Sequence, residues 1–316
     1  MKRLLRGRWL AVAAALAVVA VAAGCGNSGS GGTSSPGGSG PASSSAPSVK
    51  IGLVTDIGGL NDRSFNHLAY LGLQNAEHQL GVQGEVLQSN SDSDYVPNLQ
   101  TAAAHGDNLV IAVGFLMESA VEKVAKAFPN TNFAIIDSGP AKPIPNLKSL
   151  LFHEQDGGYI AGFQAGAKAA NPKVTTLNAY SQSFTNQAAC KELALNQIAQ
   201  HSDVVFQVAG GCGLGALSAA KEKGVWGVGV DADQSYLGPF ILTSAVKKVD
   251  VAVFDTIKQI QAGTFKGGTT DFFTAQNNGA GIGKISPKVP ASIVAKLKPI
   301  ETKIASGQIT PPDTVK

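Results

Sequence analysis

From about residue 49 onward, short apolar runs alternate with longer segments whose apolar positions recur at helical spacing. Strand-like runs lie at 51–55, 85–88, 109–113, 133–136, 149–152, 174–179, 204–208, 225–230 and 241–243. Helix-like segments lie between them, at about 64–80, 94–105, 117–127, 157–170, 186–200, 213–223 and 247–262. This alternation predicts an α/β fold with a parallel sheet that helices cover on both faces.

Two such series, with a break near 153–158, predict two similar lobes with a cleft between them. We expect the first lobe to comprise 49–153 plus about 240–268, and the second 154–239 plus about 269–316. The C-terminal part differs from the rest: "TTDFFTAQNNGAGIGKIS" is typical of a short strand pair, and "PASIVAKLKPIETKIASGQI" of a terminal helix.

The first 48 residues have another character. Residues 1–24 combine a basic start with the apolar run "WLAVAAALAVVAVAA", which is the layout of a secretory signal. Their end, "VAAGC", resembles a bacterial lipoprotein signal, which implies a lipid on Cys25 and a place on the extracytoplasmic face of the cell membrane. An uncleaved anchor, or an ordinary signal with an incidental cysteine, are the alternatives. Residues 25–48, rich in Gly, Ser and Pro, then form a flexible tether.

Charge excludes some partners. The formal net charge is +3, but the four basic residues of the signal account for all of it, and the remainder is near −1. No basic stripe is interleaved with aromatic residues, so nucleic acid is not an expected partner. The five histidines form no metal-binding motif, and we expect neither a metal nor a cofactor. We expect a monomer.

The stretch "TDIGGLNDRSFN", residues 55–66, joins the first strand to the first helix. Its two glycines permit a tight turn and close approach of a ligand, and Asp62 or Ser64 can cap the helix that follows. Asp56, Phe65 and Asn66 then lie near the carboxyl end of a strand, where open α/β sheets bind ligands. A carboxylate, an aromatic face and an amide suit a flat polar heterocycle.

Two cysteines remain besides Cys25. Cys190 lies in the first turn of a predicted helix and Cys212 directly follows the next strand, so both are expected at the same edge of the sheet. Outside the cytoplasm a disulfide can persist, and we predict one here, against the alternative of two buried thiols. The chain-entropy model gives such a loop roughly 3 kcal/mol of stabilisation.

Five ordered blocks resemble the basic membrane protein family. They are the loop D-x-G-G-x-N-D-x-S-F-N, "AIID" at 134–137, "GGYIAGFQAG" at 157–166, "GVGVDADQ" at 227–234 and "ILTSAVKKVDVAV" at 241–253. That family comprises lipid-anchored substrate-binding proteins of ABC importers, several of which bind purine nucleosides. The resemblance implies the type I periplasmic binding protein fold, in which two Rossmann-like lobes joined by three crossovers close on a ligand.

In the first lobe the resemblance implies four ligand-binding residues. Phe65 matches the aromatic residue that stacks on the base, and Asn66 the amide beside it. Asp56 matches a carboxylate of the same loop, and Asp137 an acid that ends a strand. Stacking is worth about 1–3 kcal/mol per aromatic face.

In the second lobe Phe184 is the expected opposite stacking face, with core packing as its alternative. Gly211, in "GGCG", would contribute backbone contacts, although this turn is equally typical of a plain strand-to-helix connection. Asp231 matches a ribose-binding carboxylate. The cleft lysine is Lys247, or its neighbour Lys248.

The sequence therefore predicts a non-enzymatic receptor that delivers a purine nucleoside (adenosine, guanosine or inosine) to an ABC permease. Another small solute such as a sugar is the nearest alternative. A nucleoside hydrolase is disfavoured because "VTDIGGLND" lacks the acids of a calcium loop, and a dinucleotide-dependent dehydrogenase because "GGCGLG" lacks the G-x-G-x-x-G spacing.

Overall fold

The computed structural model describes residues 48–313. The predicted signal, Cys25 and nearly all of the tether lie outside these residues. The strands within them are β1 Lys50–Val54, β2 Gln83–Leu87, β3 Leu109–Val113, β4 Asn132–Ile136, β5 Leu147–Phe152, β6 Val204–Phe206, β7 Trp226–Asp231, β8 Ile241–Lys247, β9 Thr270–Phe273 and β10 Ala280–Ile282. The α-helices are α1 Phe65–Leu80, α2 Tyr95–Ala104, α3 Glu118–Ala127, α4 Glu154–Ala161, α5 Gln164–Ala170, α6 Gln187–Ala199, α7 Gly213–Lys223, α8 Val249–Gln261 and α9 Ala291–Ala305.

The first lobe is built on a six-stranded sheet in the order β2-β1-β3-β4-β5-β9, with every neighbouring pair parallel. Its central strand β3, with the sequence LVIAV, is buried at all five positions, as expected for a parallel sheet covered on both faces. Helix α8 packs against α1. The close approach needs Gly72, because a Cβ there would lie 2.5 Å from the backbone oxygen of Asp250.

The second lobe has a four-stranded sheet in the order β10-β8-β7-β6, in which only β10 is antiparallel to its neighbour. Helices α6 and α7 pack against each other beside it. Gly215 permits this contact, since a Cβ would fall 1.9 Å from the oxygen of Gln187. No helix within residues 48–313 has both the length and the apolar character needed to cross a bilayer.

The chain passes between the two sheets three times, after β5, after β8 and between β9 and β10. The expected lobe boundaries are wrong at two strands. Strand β8 continues the parallel ladder of β7 and belongs to the second lobe, whereas β9 pairs with β5 and belongs to the first. The strand pair expected at the C-terminal part is also wrong, because β9 and β10 join different sheets. An apolar run does not encode which sheet it will join.

Two further sequence predictions in the second lobe are wrong. The run 174–179 forms no strand; it is mostly exposed and joins no ladder, and its contacts include a hydrogen bond from Gln164 Nε2 to Thr176 Oγ1 at 2.8 Å. The helix expected over 157–170 is two helices, α4 and α5, separated at Gly162, which has φ 88°. The same turn brings α5 back onto α4.

Candidate functional site

The loop before α1 is organised by one carboxylate, that of Asp62. Its Oδ1 accepts hydrogen bonds from the backbone N–H of Ser64 at 2.9 Å and of His67 at 3.1 Å, and its Oδ2 from that of Asn66 at 2.7 Å. Of the two capping residues that the sequence allowed, Asp62 therefore satisfies the free amides of the helix. The hydroxyl of Ser64 is left free to bond elsewhere.

Asp56 is held by its neighbours with one oxygen turned away from them. Its Oδ1 accepts from the Asn66 amide at 2.7 Å and from the backbone of Gly58 at 2.8 Å. Burial raises the pKa of Asp56, while these two hydrogen bonds oppose the shift. Its Oδ2 lies beside Gly114, where a Cβ would come within 3.0 Å of it. One carboxylate oxygen is fixed and the other faces the space between the lobes.

Asn66 itself is buried, 1% exposed. Its amide nitrogen donates to Asp56 and also to Asp62 Oδ2 at 3.0 Å, and its oxygen accepts from the backbone N–H of Asp56 at 3.1 Å. Both amide hydrogens are thus used inside the protein. The geometry makes Asn66 a support for Asp56, and its role as a base-binding amide stays a prediction.

Lys247 crosses from the second lobe to the first. Its Nζ lies 2.5 Å from Asp137 Oδ2 and 3.0 Å from Glu154 Oε1, and 5.4 Å from the ring centroid of Phe65. Burial lowers the pKa of Lys247, but the charges of Asp137, Asp231 and Glu154 outweigh it and raise the pKa. Lys247, and not Lys248, is therefore the lysine of the cleft.

Asp137 directly follows β4 of the first lobe and Asp231 ends β7 of the second, and both have an unusual backbone conformation. Their φ angles are 66° and 62°, in the left-handed region where a side chain other than glycine is uncommon and often functional. Burial raises the pKa of Asp137 to about 6, against the charge of Lys247. Burial also raises the pKa of Asp231, whose Oδ2 accepts from Ser64 Oγ of the first lobe at 2.9 Å.

Aromatic rings approach the same space from both lobes. Phe65 is half-buried against the first-lobe core, whereas Phe184 is 43% exposed, which excludes core packing for Phe184. Phe115, which directly follows the turn after β3, meets Phe184 edge-to-face with ring centroids 5.6 Å apart. An aromatic pair in this arrangement is a stable apolar contact between the lobes.

These side chains surround one cavity of about 280 Å³ between the lobes. All eight residues expected to bind ligand line it: Asp56, Phe65, Asn66, Asp137, Phe184, Gly211, Asp231 and Lys247. The sequence did not single out several further residues at this site, among them Phe115, which lines the cavity, Gly114, which lies against Asp56, and Glu154, which binds Lys247. Gly114 carried a usable signal, because a glycine directly after a fully buried strand marks a turn or a close approach.

The predicted disulfide is present. Cys190 and Cys212 are bonded with their Cα atoms 5.6 Å apart, within the usual range for a disulfide. It joins the first turn of α6 to the turn before α7. Within residues 48–313, no cluster of three or more His, Cys, Asp or Glu side chains could hold a metal ion.

Comparison with known proteins agrees with this architecture. The profile of a family described as "ABC transporter substrate-binding protein PnrA-like" matches residues 49–163 and 158–314. The ABC transporter nucleoside-binding protein BmpA of Lactococcus lactis is 32% identical, with 98% of this chain and 99% of that protein covered. The CD4+ T-cell-stimulating antigen of Listeria monocytogenes is 30% identical, with 85% and 89% covered. An uncharacterized lipoprotein of Pyrococcus horikoshii is 31% identical, with 70% and 65% covered.

Solved structures show the same fold. A solute-binding protein of an ABC transporter from Aeropyrum pernix K1 superposes with a TM-score of 0.71 at 23% identity, covering 84% of this chain and 94% of that one. A second, from Conexibacter woesei, gives 0.69 at 22% identity, with 84% and 99% covered. The predicted α/β fold of the periplasmic binding protein type is confirmed. The chain belongs to the PnrA-like family of ABC transporter substrate-binding proteins.

Proposed function

We propose that this protein captures a purine nucleoside between its lobes and delivers it to the permease of an ABC importer. The observation that carries the proposal is a cavity of about 280 Å³ into which both lobes turn an aromatic ring and a carboxylate at a strand end. A ligand that contacts both walls stabilises the closed arrangement by the difference between its affinities for the closed and open states.

The aromatic side chains of the cavity are suited to binding a nucleobase. Phe65 and Phe184 line the cavity from opposite lobes, so a planar heterocycle between them would gain about 1–3 kcal/mol from each ring face. Asp56, with Oδ1 fixed by Asn66, offers its other oxygen as an acceptor for a base N–H.

The charged side chains of the cavity are suited to binding the hydroxyl groups of a neutral sugar. Asp137 Oδ1 is buried without a hydrogen-bond partner among the described residues, and Asp231 and Lys247 lie beside the same cavity. A hydroxyl or N–H of the ligand would satisfy that orphaned oxygen, which otherwise costs free energy.

The charge balance disfavours phosphorylated ligands. Four carboxylates, those of Asp56, Asp62, Asp137 and Asp231, line the cavity against the single cation of Lys247. Arg63, the one arginine of residues 48–313, lies with its guanidinium 5.8 Å from the centroid of the Tyr236 ring. A phosphate would add negative charge where carboxylates already dominate, so the ligand class is the nucleoside and not the nucleotide.

Calorimetric titration of the purified protein tests the ligand class. Adenosine, guanosine and inosine should bind more tightly than cytidine, ribose, the free bases and AMP. Tighter binding of ribose, of another sugar or of cytidine would refute the nucleoside assignment. Inosine should also remain intact after prolonged incubation with the protein; release of hypoxanthine and ribose would show an enzyme.

We also propose that a lipid on Cys25 holds the protein at the extracytoplasmic face of the cell membrane, where it acts as a monomer. The sequence around Cys25 and the lipoprotein name of the Pyrococcus relative support this. The Cys25→Ala variant should leave the membrane fraction with unchanged melting temperature. If that variant stays membrane-bound, the lipid anchor is wrong; light scattering checks the monomer.

A further inference from the structure

The segment that carries Phe184 has little structure of its own. Between the end of α5 and the start of α6, residues 171–186 contain neither helix nor strand. Phe184 lies near the end of this segment and exposes 43% of its surface. The ring is therefore only partly packed, and its aromatic neighbour is Phe115 of the first lobe, with ring centroids 5.6 Å apart.

The backbone around Phe184 is instead attached to the turn before α7. The carbonyl of Phe184 accepts a hydrogen bond from the backbone N–H of Cys212 at 2.9 Å. Gly210 and Gly211 of that turn lie under the same residue: Cβ atoms built on them would fall 3.5 Å and 3.4 Å from the Phe184 oxygen. The Gly210–Gly211 turn and Phe184 therefore pack against each other, and both line the cavity.

The disulfide adds a covalent link between the start of α6 and the same turn. Cys190, six residues after Phe184, is bonded to Cys212, and both are buried in the second-lobe core. Phe184 is therefore held to the turn at two places, by its own carbonyl and through the start of α6. Without the covalent link, the hydrogen bond at Cys212 and the packing of α6 against α7 would be left to hold this end of the segment beside the turn.

We propose that the Cys190–Cys212 disulfide is a positioning element of the ligand site, which holds Phe184 and the Gly210–Gly211 turn in place for binding. We call the disulfide together with the Cys212–Phe184 backbone hydrogen bond the clamp. The identity of the ligand rests on the proposed function, whereas the clamp rests on the contacts above. Preorganising a wall reduces the ordering cost of binding. The disulfide thus has a role in affinity in addition to its role in stability.

Two measurements on the Cys190→Ala/Cys212→Ala variant test this, both well below its melting temperature. Calorimetry with inosine should show Kd raised about three- to tenfold, the range expected when one side chain must be ordered on binding. In a Phe184→Ala background the same pair of substitutions should change Kd by less than about twofold, because the residue through which the disulfide acts is gone. Equal weakening in both backgrounds, or none in either, would overturn the proposal.

Val205→Ala is the matched control for a purely structural effect. Val205 is buried in the same core cluster as the two cysteines, carries no part of the disulfide, and is not among the residues that line the cavity. It should lower the melting temperature and leave Kd within about twofold of the wild-type value. If it weakens inosine binding as much as disulfide removal does, loss of stability explains both effects and the positioning role is wrong.

Hydrogen exchange separates failure of the clamp from failure of the proposed function. Removing the disulfide should accelerate amide exchange at residues 183–186 and 210–213 and leave the first lobe unchanged. Unchanged exchange at position 212 refutes the clamp whatever the ligand is. Absence of nucleoside binding by the wild-type protein, with faster exchange in the variant, refutes the nucleoside assignment alone.

Discussion

Replacing Lys247 by methionine should destabilise the protein at neutral pH much more than at acid pH. The Lys247 and Asp137 side chains are 11% and 16% exposed and lie 2.5 Å apart across the lobes. Methionine has nearly the same length but no charge, so the substitution leaves a buried carboxylate unpaired without creating a large cavity.

The burial of this ion pair determines how large the loss of stability should be. Removing one partner of a buried ion pair costs about 3–5 kcal/mol, and we expect the lower end, about 3 kcal/mol at pH 8, because both groups retain some contact with water. The pKa of Asp137 is raised to about 6 in the folded protein. A raised carboxyl pKa means that the native state binds more protons, so the free energy of unfolding falls as pH rises between about 4 and 6. Without Lys247 this pKa rises further and the loss extends to higher pH.

Urea denaturation at pH 5 and pH 8 measures the difference, with Lys248→Met as the control. Lys248 adjoins Lys247 in sequence but forms no salt bridge among the described residues. We expect Lys248→Met to be within about 0.5 kcal/mol of the wild type at both pH values. Equal losses for Lys247→Met at pH 5 and pH 8, or equal losses for the two variants, would refute the account of this ion pair.

Two further predictions concern the first lobe. Burial and the neighbouring Glu85 raise the pKa of Asp107 to about 7, so Asp107 reduces the free energy of unfolding as pH rises from about 4 to 7. Asp107→Asn should therefore stabilise the protein at pH 8. If thermal melts show no larger increase in melting temperature at pH 8 than at pH 4, this prediction is wrong. Asp62→Ala removes the cap of α1 and should cost about 0.5–2 kcal/mol in urea denaturation; an unchanged free energy of unfolding in this variant would refute the cap assignment.

The residues that line the cavity were predicted from the sequence better than their hydrogen-bond and ion-pair partners were. Asp137 and Asp231 were expected because the resemblance to the basic membrane protein family implies an acid at each position, and each lies at the end of an apolar strand. The Ser64–Asp231 hydrogen bond joins residues 167 positions apart. It depends on how the lobes close, which no local pattern contains. Glu154, in the helix that begins the second lobe, reaches Lys247 within the same lobe because α4 packs against β8, a tertiary contact that no local pattern contains either.

The fold was predicted in class and in most elements, and the errors in its strands share one cause. Strand β3 was found at its predicted bounds, since a short run of five apolar residues, three of them β-branched, is typical of a strand buried on both faces. The segment 174–179 has a strand-like composition but joins no ladder, and β8 and β9 were assigned to the opposite lobes. Strand pairing is a tertiary choice, whereas apolar periodicity is local.

The central claim is that a nucleoside is bound by two walls, with its base at Phe65 and Phe184 and its ribose at Asp231. Calorimetry of inosine and of hypoxanthine with the wild type and with Asp231→Ala tests it most directly. We predict that Asp231→Ala weakens inosine at least about tenfold, the effect of losing a hydrogen bond to a charged group, and changes hypoxanthine less than about twofold, because only the nucleoside carries ribose hydroxyls. Equal weakening of inosine and hypoxanthine, or none of either, would contradict the two-wall account.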